Sequence, residues 1–114
     1  MLPPRVNEQI RRLVEDLVHE RYEALEADVR SGRLTANELR EATSRYGRHL
    51  TLPPEDTFLT LDTCKVEGQP VPTWSVELPM WTLEDGKSDW TLDLIVIERS
   101  PGLSSVEIDD LHVH

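Results

Sequence analysis

The sequence predicts a single α+β domain, residues 1–114, in which two N-terminal helices precede a curved four-stranded antiparallel sheet packed on the first helix. Three observations predict it. Apolar residues recur at helical spacing before residue 50. A two-residue alternation replaces that spacing after Pro53-Pro54. A chain of 114 residues, 38% hydrophobic, supplies one core but not two.

The first helix rests on Val6, Ile10, Leu13, Val14, Leu17, Val18, Leu25 and Val29, whose spacing draws one apolar stripe. Pro3 and Pro4 suit its opening and Ser31-Gly32 its end, while Glu8 with Arg12 and Glu26 with Arg30 form acid-before-base pairs on the wet side. The second helix opens at TANE: the Thr35 hydroxyl can accept from the Glu38 amide while the Glu38 carboxylate reaches back, a capping box. Leu39, Ala42 and Tyr46 give it an inner side, and Gly47 stops it.

Strand-like runs follow at about 57–66, 73–83, 88–99 and 104–113. Trp74, Val76, Leu78 and Met80 alternate inward on one, and Trp90, Leu92, Leu94 and Val96 on the next. Facing residues share a side only if their numbers sum to an even value, which an odd turn at Glu84-Asp85-Gly86 provides. That register sets Met80 opposite Trp90, Leu78 opposite Leu92 and Val76 opposite Leu94. Pro79, with no amide hydrogen, belongs at an edge or a bulge. In the last strand Val106 and Ile108 keep one parity and Leu111 and Val113 the other, so a bulge at Asp109-Asp110 is needed to keep one apolar face. The bulge directs His112 and His114 away from the core.

The formal charge of −10 is uneven. Residues 1–50 carry nine Arg and nine Asp plus Glu; residues 51–114 carry three basic and thirteen acidic residues, so the whole excess lies in the second half. Such a surface repels phosphate backbones and anionic lipid, which argues against nucleic-acid and membrane partners and for a basic protein partner. The single Cys64 can form no disulfide within the chain and reads as a half-buried inert thiol. With no signal pattern at the start and no apolar run of about 20 residues, a cytoplasmic protein is expected.

The stretch "WTLEDGKSDWTLDL", 81–94, followed by "VEIDDLHVH", 106–114, resembles a family of small bacterial proteins described only as a domain of unknown function, with a W-T-x-E-x-G-x-S-D-x-T-L hairpin and an I-D-D-[I/L]-H-V ending. The resemblance covers about the last third of the chain and implies no activity. A helix before a bent antiparallel sheet is also similar to the cystatin-like or nuclear-transport-factor-2-like arrangement. The chain departs from the latter in having few aromatic residues to line a cone-shaped pocket.

The hairpin's outer face is predicted to present Glu77, Pro79 and Trp81 on one strand and Asp89, Asp93, Ile95 and Ile97 on the next, with Glu107 nearby. Six of these, Glu77, Trp81, Asp89, Asp93, Ile95 and Glu107, form the candidate interaction surface: carboxylates for charge, tryptophan and isoleucine for desolvated area. His112 and His114 share a side of an extended strand and, with an aspartate, offer metal ligands, but no third ligand is fixed by spacing. Asp109 and Asp110 are poor partners as a general acid and base, because neighbouring strand residues diverge. There is no nucleophile-base spacing, phosphate-cradling glycine loop or paired CxxC, so no catalytic residue, cofactor or metal is assigned. The reading is a non-catalytic acidic interaction module, in its concrete form an immunity-type protein covering a toxin's cationic site. Its rivals are a small-molecule or enzymatic pocket using Asp89, Asp109 or His112, and a homodimer that buries the outer face.

Overall fold

The structure, a computed structural model, describes residues 2–113. Helix α1 spans Pro4–Val18 and buries Val6, Ile10, Leu13, Val14 and Leu17. The predicted first helix then breaks. Glu20 takes the left-handed conformation, its amide bonding the Leu17 carbonyl at 3.2 Å while the Arg21 amide bonds the Asp16 carbonyl at 2.8 Å. This pair of bonds is the Schellman termination, usually built on glycine. Helix α2, Tyr22–Ala27, ends the same way at Val29, with bonds from the Val29 amide to Glu26 and from the Arg30 amide to Leu25. The intervening turn reorients the chain so that Tyr22 and Leu25 are both buried. Asp16 ties the two terminations together, holding Arg21 and Arg30 at 2.8 Å each.

Helix α3, Ala36–Tyr46, opens on the expected capping box and closes at left-handed Gly47. Its last residue, Tyr46, stacks on Trp90 with ring centroids 4.6 Å apart.

The sheet has five strands: β1 (Leu50–Thr51), β2 (Asp62–Lys65), β3 (Thr73–Thr82), β4 (Gly86–Ser100) and β5 (Leu103–Val113). All pairings are antiparallel, in the order β1-β3-β4-β5 with β2 also against β3. The extra strand is β1, which precedes the predicted run, and 57–66 is itself only partly a strand. Helix α4, Glu55–Leu59, occupies its first part, opening after Pro54 with Glu55 and Asp56 near its positive end and Phe58 buried in the core. β1 pairs with β3 as far as Trp81 and β2 takes over at Glu77, leaving Pro79 in the interval, where a missing amide costs no ladder bond.

In the β3-β4 hairpin Val76 faces Leu94 and Leu78 faces Leu92, as parity requires. Nearer the turn the register changes: Trp81 pairs with Lys87 and Thr82 with Gly86. Met80 therefore lies opposite the stretch from Ser88 to Trp90, and the expected Met80-Trp90 pair is replaced by a bulge. The Ser88 hydroxyl fills the interrupted ladder, donating to the Met80 carbonyl at 2.7 Å and accepting from the Trp90 amide at 3.1 Å. Even parity survives on both sides, so Met80 and Trp90 are both buried. Trp74, by contrast, is only half-buried.

On β5 the predicted bulge is present. Asp93 faces Asp110 while Leu94 faces Ile108, which leaves Asp109 as the additional residue. Leu111 returns to the core side, but Val113 is 52% exposed and does not fill the core as expected. The helices cover one side of the sheet, their stripes packed with Val76, Leu78, Met80, Leu92, Leu94, Val96, Val106 and Ile108.

One backbone contact fixes the helical layer to β5. The Ile108 amide donates to the Arg30 carbonyl at 2.8 Å, and Gly32, with φ of +63°, lies so close that a methyl group there would come within 2.1 Å of the Ile108 carbonyl oxygen. Gly32 thus serves as a point of close approach one residue from the bulge, rather than as the end of a helix.

Candidate functional site

Register builds the site. β2 pairs Asp62 with Glu77, β3 pairs Glu77 with Asp93, and β4 pairs Asp93 with Asp110. Four carboxylates therefore stand on one rung across four strands. With about 4.8 Å between strands, the rung spans about 14 Å. Its neighbours along β3 and β4, Val76, Leu78, Leu92 and Leu94, are buried against the helices, so alternation turns the rung to the opposite, outer side. The adjoining rungs read Cys64, Ser75, Ile95 and Glu107 on one side and Pro79, Thr91 and His112 on the other. Like charges directly opposite one another destabilise a sheet. Only Asp110's arrival opposite Asp93 depends on the β5 bulge; without it Asp109 would take that position.

Of the six predicted surface residues, the structure brings five to this side. Glu77 and Asp93 are in the rung itself; Ile95 and Glu107 are neighbours in the next one, Ile95 half-buried. Trp81 stands at the hairpin end, half-buried beside Thr60, Leu61, Pro79 and Lys87 in a groove of about 320 Å³. The stretch after α4 therefore partly covers it, and the centre of the surface is Asp93 rather than Trp81. Asp89 departs. The β4 bulge takes it out of the alternation, and it accepts a hydrogen bond at 2.8 Å from Tyr46 of α3, whose ring stacks on core-facing Trp90. Parity counting could not foresee this, because the bulge is held by a serine side chain.

Asp62 and Asp110 are the carboxylates that sequence reasoning did not place in the surface. Asp110 was legible from the bulge already inferred at Asp109-Asp110. Asp62 was not, since its register depends on β2 beginning after α4. Cys64 is exposed, not half-buried, and lines with Asp62, Glu77 and Asp93 a hollow of about 160 Å³.

Asp93 is the most enclosed member of the rung, its side chain 29% exposed. Its Oδ2 lies 2.9 Å from His112 Nε2, while its Oδ1 is shielded from solvent and has no hydrogen-bond partner. Ligand atoms of Asp93, Asp110 and His112 lie within 4.8 Å of one another. His114 lies outside the described residues.

Three other acids of the second half, Glu84, Asp85 and Glu55, have local partners. The His49 amide and ring nitrogen both bond Glu84, at 2.9 and 2.6 Å, and these bonds hold the Glu84 carboxyl down at about 2. Arg48 pairs with Asp85 at 3.0 Å, and Arg11 of α1 pairs with Glu55 of α4. The hairpin turn is thereby clamped to the chain before β1, and its charge is answered within the molecule. Beside the rung stands one histidine, His112, and among the described residues no arginine or lysine lies within ion-pair distance of Asp62, Asp93 or Asp110. Asp109, the bulge residue, is the member of that segment nearest a guanidinium, 3.9 Å from Arg33.

None of the described helices is long and apolar enough to cross a membrane. No curated protein and no solved structure matches the chain. The family model for the domain of unknown function DUF7668 matches residues 14–114, which takes in the end of α1 and the later helices as well as the hairpin and the final strand, and the chain belongs to that family.

Proposed function

We propose that the protein is a non-catalytic interaction module whose acidic rung docks a basic protein surface. The observation that carries this reading is the alignment of Asp62, Glu77, Asp93 and Asp110 on one rung of the outer face. Carboxylates set abreast in this way repel one another in the free protein and are relieved by a cationic partner, so part of the binding free energy comes from the repulsion removed. Half-buried Ile95 and Trp81 at its margins supply area from which water is displaced. In its sharper form, the protein is of the immunity type, its rung occupying the cationic groove of a nucleic-acid-degrading toxin in place of phosphates. A cytoplasmic location accords with that role.

The test is capture of a partner by the immobilised full chain, with its identity read by mass spectrometry and its affinity measured at two salt concentrations. A basic partner is expected, bound more weakly at high salt. The double variant Glu77→Lys/Asp110→Lys should lose it, whereas Glu26→Lys/Glu41→Lys, with the same change in net charge on exposed helical positions, should retain it. Retention by the rung variant, or loss by the helix variant, contradicts the reading.

A further inference from the structure

From the mixed ligand set on the outer face we infer that Asp93, Asp110 and His112 form a binding site for a divalent transition cation of the zinc type. The inference stands apart from the docking proposal, because it requires only these three side chains. Two strands and one bulge assemble them. Asp93 faces Asp110 directly, and His112, two residues further along β5, projects from the same side beside it. In a regular ladder without the bulge, Asp109 would face Asp93, and Asp110 and His112 would sit on the wrong parity.

The chemistry of the set fits such a cation. One imidazole nitrogen and two carboxylates are ligands that zinc accepts, with water completing the shell. Zinc bonds of about 2.0–2.2 Å set ligand atoms about 3.3 Å apart in a tetrahedral shell. The His112 Nε2 to Asp93 Oδ2 separation is 2.9 Å, and all three ligand atoms lie within 4.8 Å of one another, so small side-chain rotations close the shell. Imidazole separates this set from one suited to magnesium, which prefers oxygen ligands and retains several waters.

Two further observations point to a cation here, beyond the proximity of the groups. Asp93 Oδ1 is shielded from solvent and unpartnered, although a buried carboxylate oxygen ordinarily finds a donor. A small ion between the side chains can reach an oxygen that a water molecule cannot. Asp93 also has a like charge directly across each ladder, Glu77 on one side and Asp110 on the other. A doubly charged ion bound by Asp93 and Asp110 balances those two carboxylates.

The test is calorimetric titration of the full chain with Zn²⁺ alone and with Mg²⁺ alone. One equivalent of Zn²⁺ is expected, with Mg²⁺ at least about tenfold weaker. Asp93→Asn, Asp110→Asn and His112→Ala should each weaken Zn²⁺ at least about tenfold, while His49→Ala and His114→Ala keep wild-type affinity. Thermal melting accompanies each titration: the asparagine variants, relieved of a repulsion, should melt no lower than the metal-free wild type and gain nothing from Zn²⁺. Nitrogen NMR of the wild type supplies a readout that needs no substitution, with the His112 ring resonances moving on saturation. Absence of saturable Zn²⁺ binding, equal affinity for Mg²⁺, wild-type affinity in the three ligand variants, loss in His114→Ala alone, or unmoved His112 resonances would each overturn the site.

Discussion

Replacing Gly32 by alanine should destabilise the domain by about 2–5 kcal/mol, and the sum can be traced. A left-handed backbone costs a residue with a Cβ about 1–2 kcal/mol. The Gly32 φ of +63° incurs that cost. The methyl would also lie 2.1 Å from the Ile108 carbonyl oxygen, a backbone atom that cannot rotate aside. Separating the two segments breaks the 2.8 Å bond from the Ile108 amide to the Arg30 carbonyl. An enclosed backbone pair left unsatisfied costs about 1–3 kcal/mol more. Gly68→Ala is the control, since φ there is +78° with nothing within 4 Å of the added carbon, so it should cost only the conformational part. Urea unfolding of both variants measures the difference, which isolates the contact between the helical layer and β5. If Gly32→Ala and Gly68→Ala are equally stable within about 0.5 kcal/mol, the close approach described here is wrong.

Three other outcomes follow from the same geometry. Val29 is 66% exposed with φ of +60°, so Val29→Gly should raise stability by about 1 kcal/mol in the same assay, reversing the usual effect of adding glycine. Burial pushes the Asp16 carboxyl up, but the hydrogen bonds from Arg21 and Arg30 more than reverse it and leave it below the usual range. A carboxyl lowered on folding stabilises the protein above its unfolded value and loses that contribution as pH falls through the folded one. Asp16→Asn should therefore cost about 1–3 kcal/mol at neutral pH, and its deficit against wild type should shrink in acid below about pH 4. Carbon NMR should find the Glu84 side chain titrating at about 2, and His49→Ala, which removes one of the two bonds, should raise that midpoint. A Glu84 midpoint unaffected by the substitution contradicts the clamp.

The parts of this fold that were legible from sequence are those governed by short-range periodicity. The apolar stripe gave α1, TANE gave the start of α3, and parity gave the central pairs Val76-Leu94 and Leu78-Leu92 together with the β5 bulge. Features set by tertiary contact were not. Glu20 and Val29 terminate helices in a conformation that residue type disfavours, and only the burial of Tyr22 and Leu25 with the Asp16 bonds explains their positions. α4 replaced the first three residues of a predicted strand because burial of Phe58 decides a five-residue segment whose alternation alone is ambiguous. Five of the six candidate surface residues lie on the outer side of the sheet, and Asp89 does not, because a serine-held bulge turns it to Tyr46.

A cationic probe followed by NMR tests the carboxylate rung most directly. On titration with hexalysine, the side-chain and amide signals of Asp62, Glu77, Asp93 and Asp110 should move together with one midpoint, while those of Asp89, Glu84 and Asp85 stay in place. Shifts concentrated at the hairpin turn, or four unrelated midpoints along the rung, would show that the outer face holds no common cationic site.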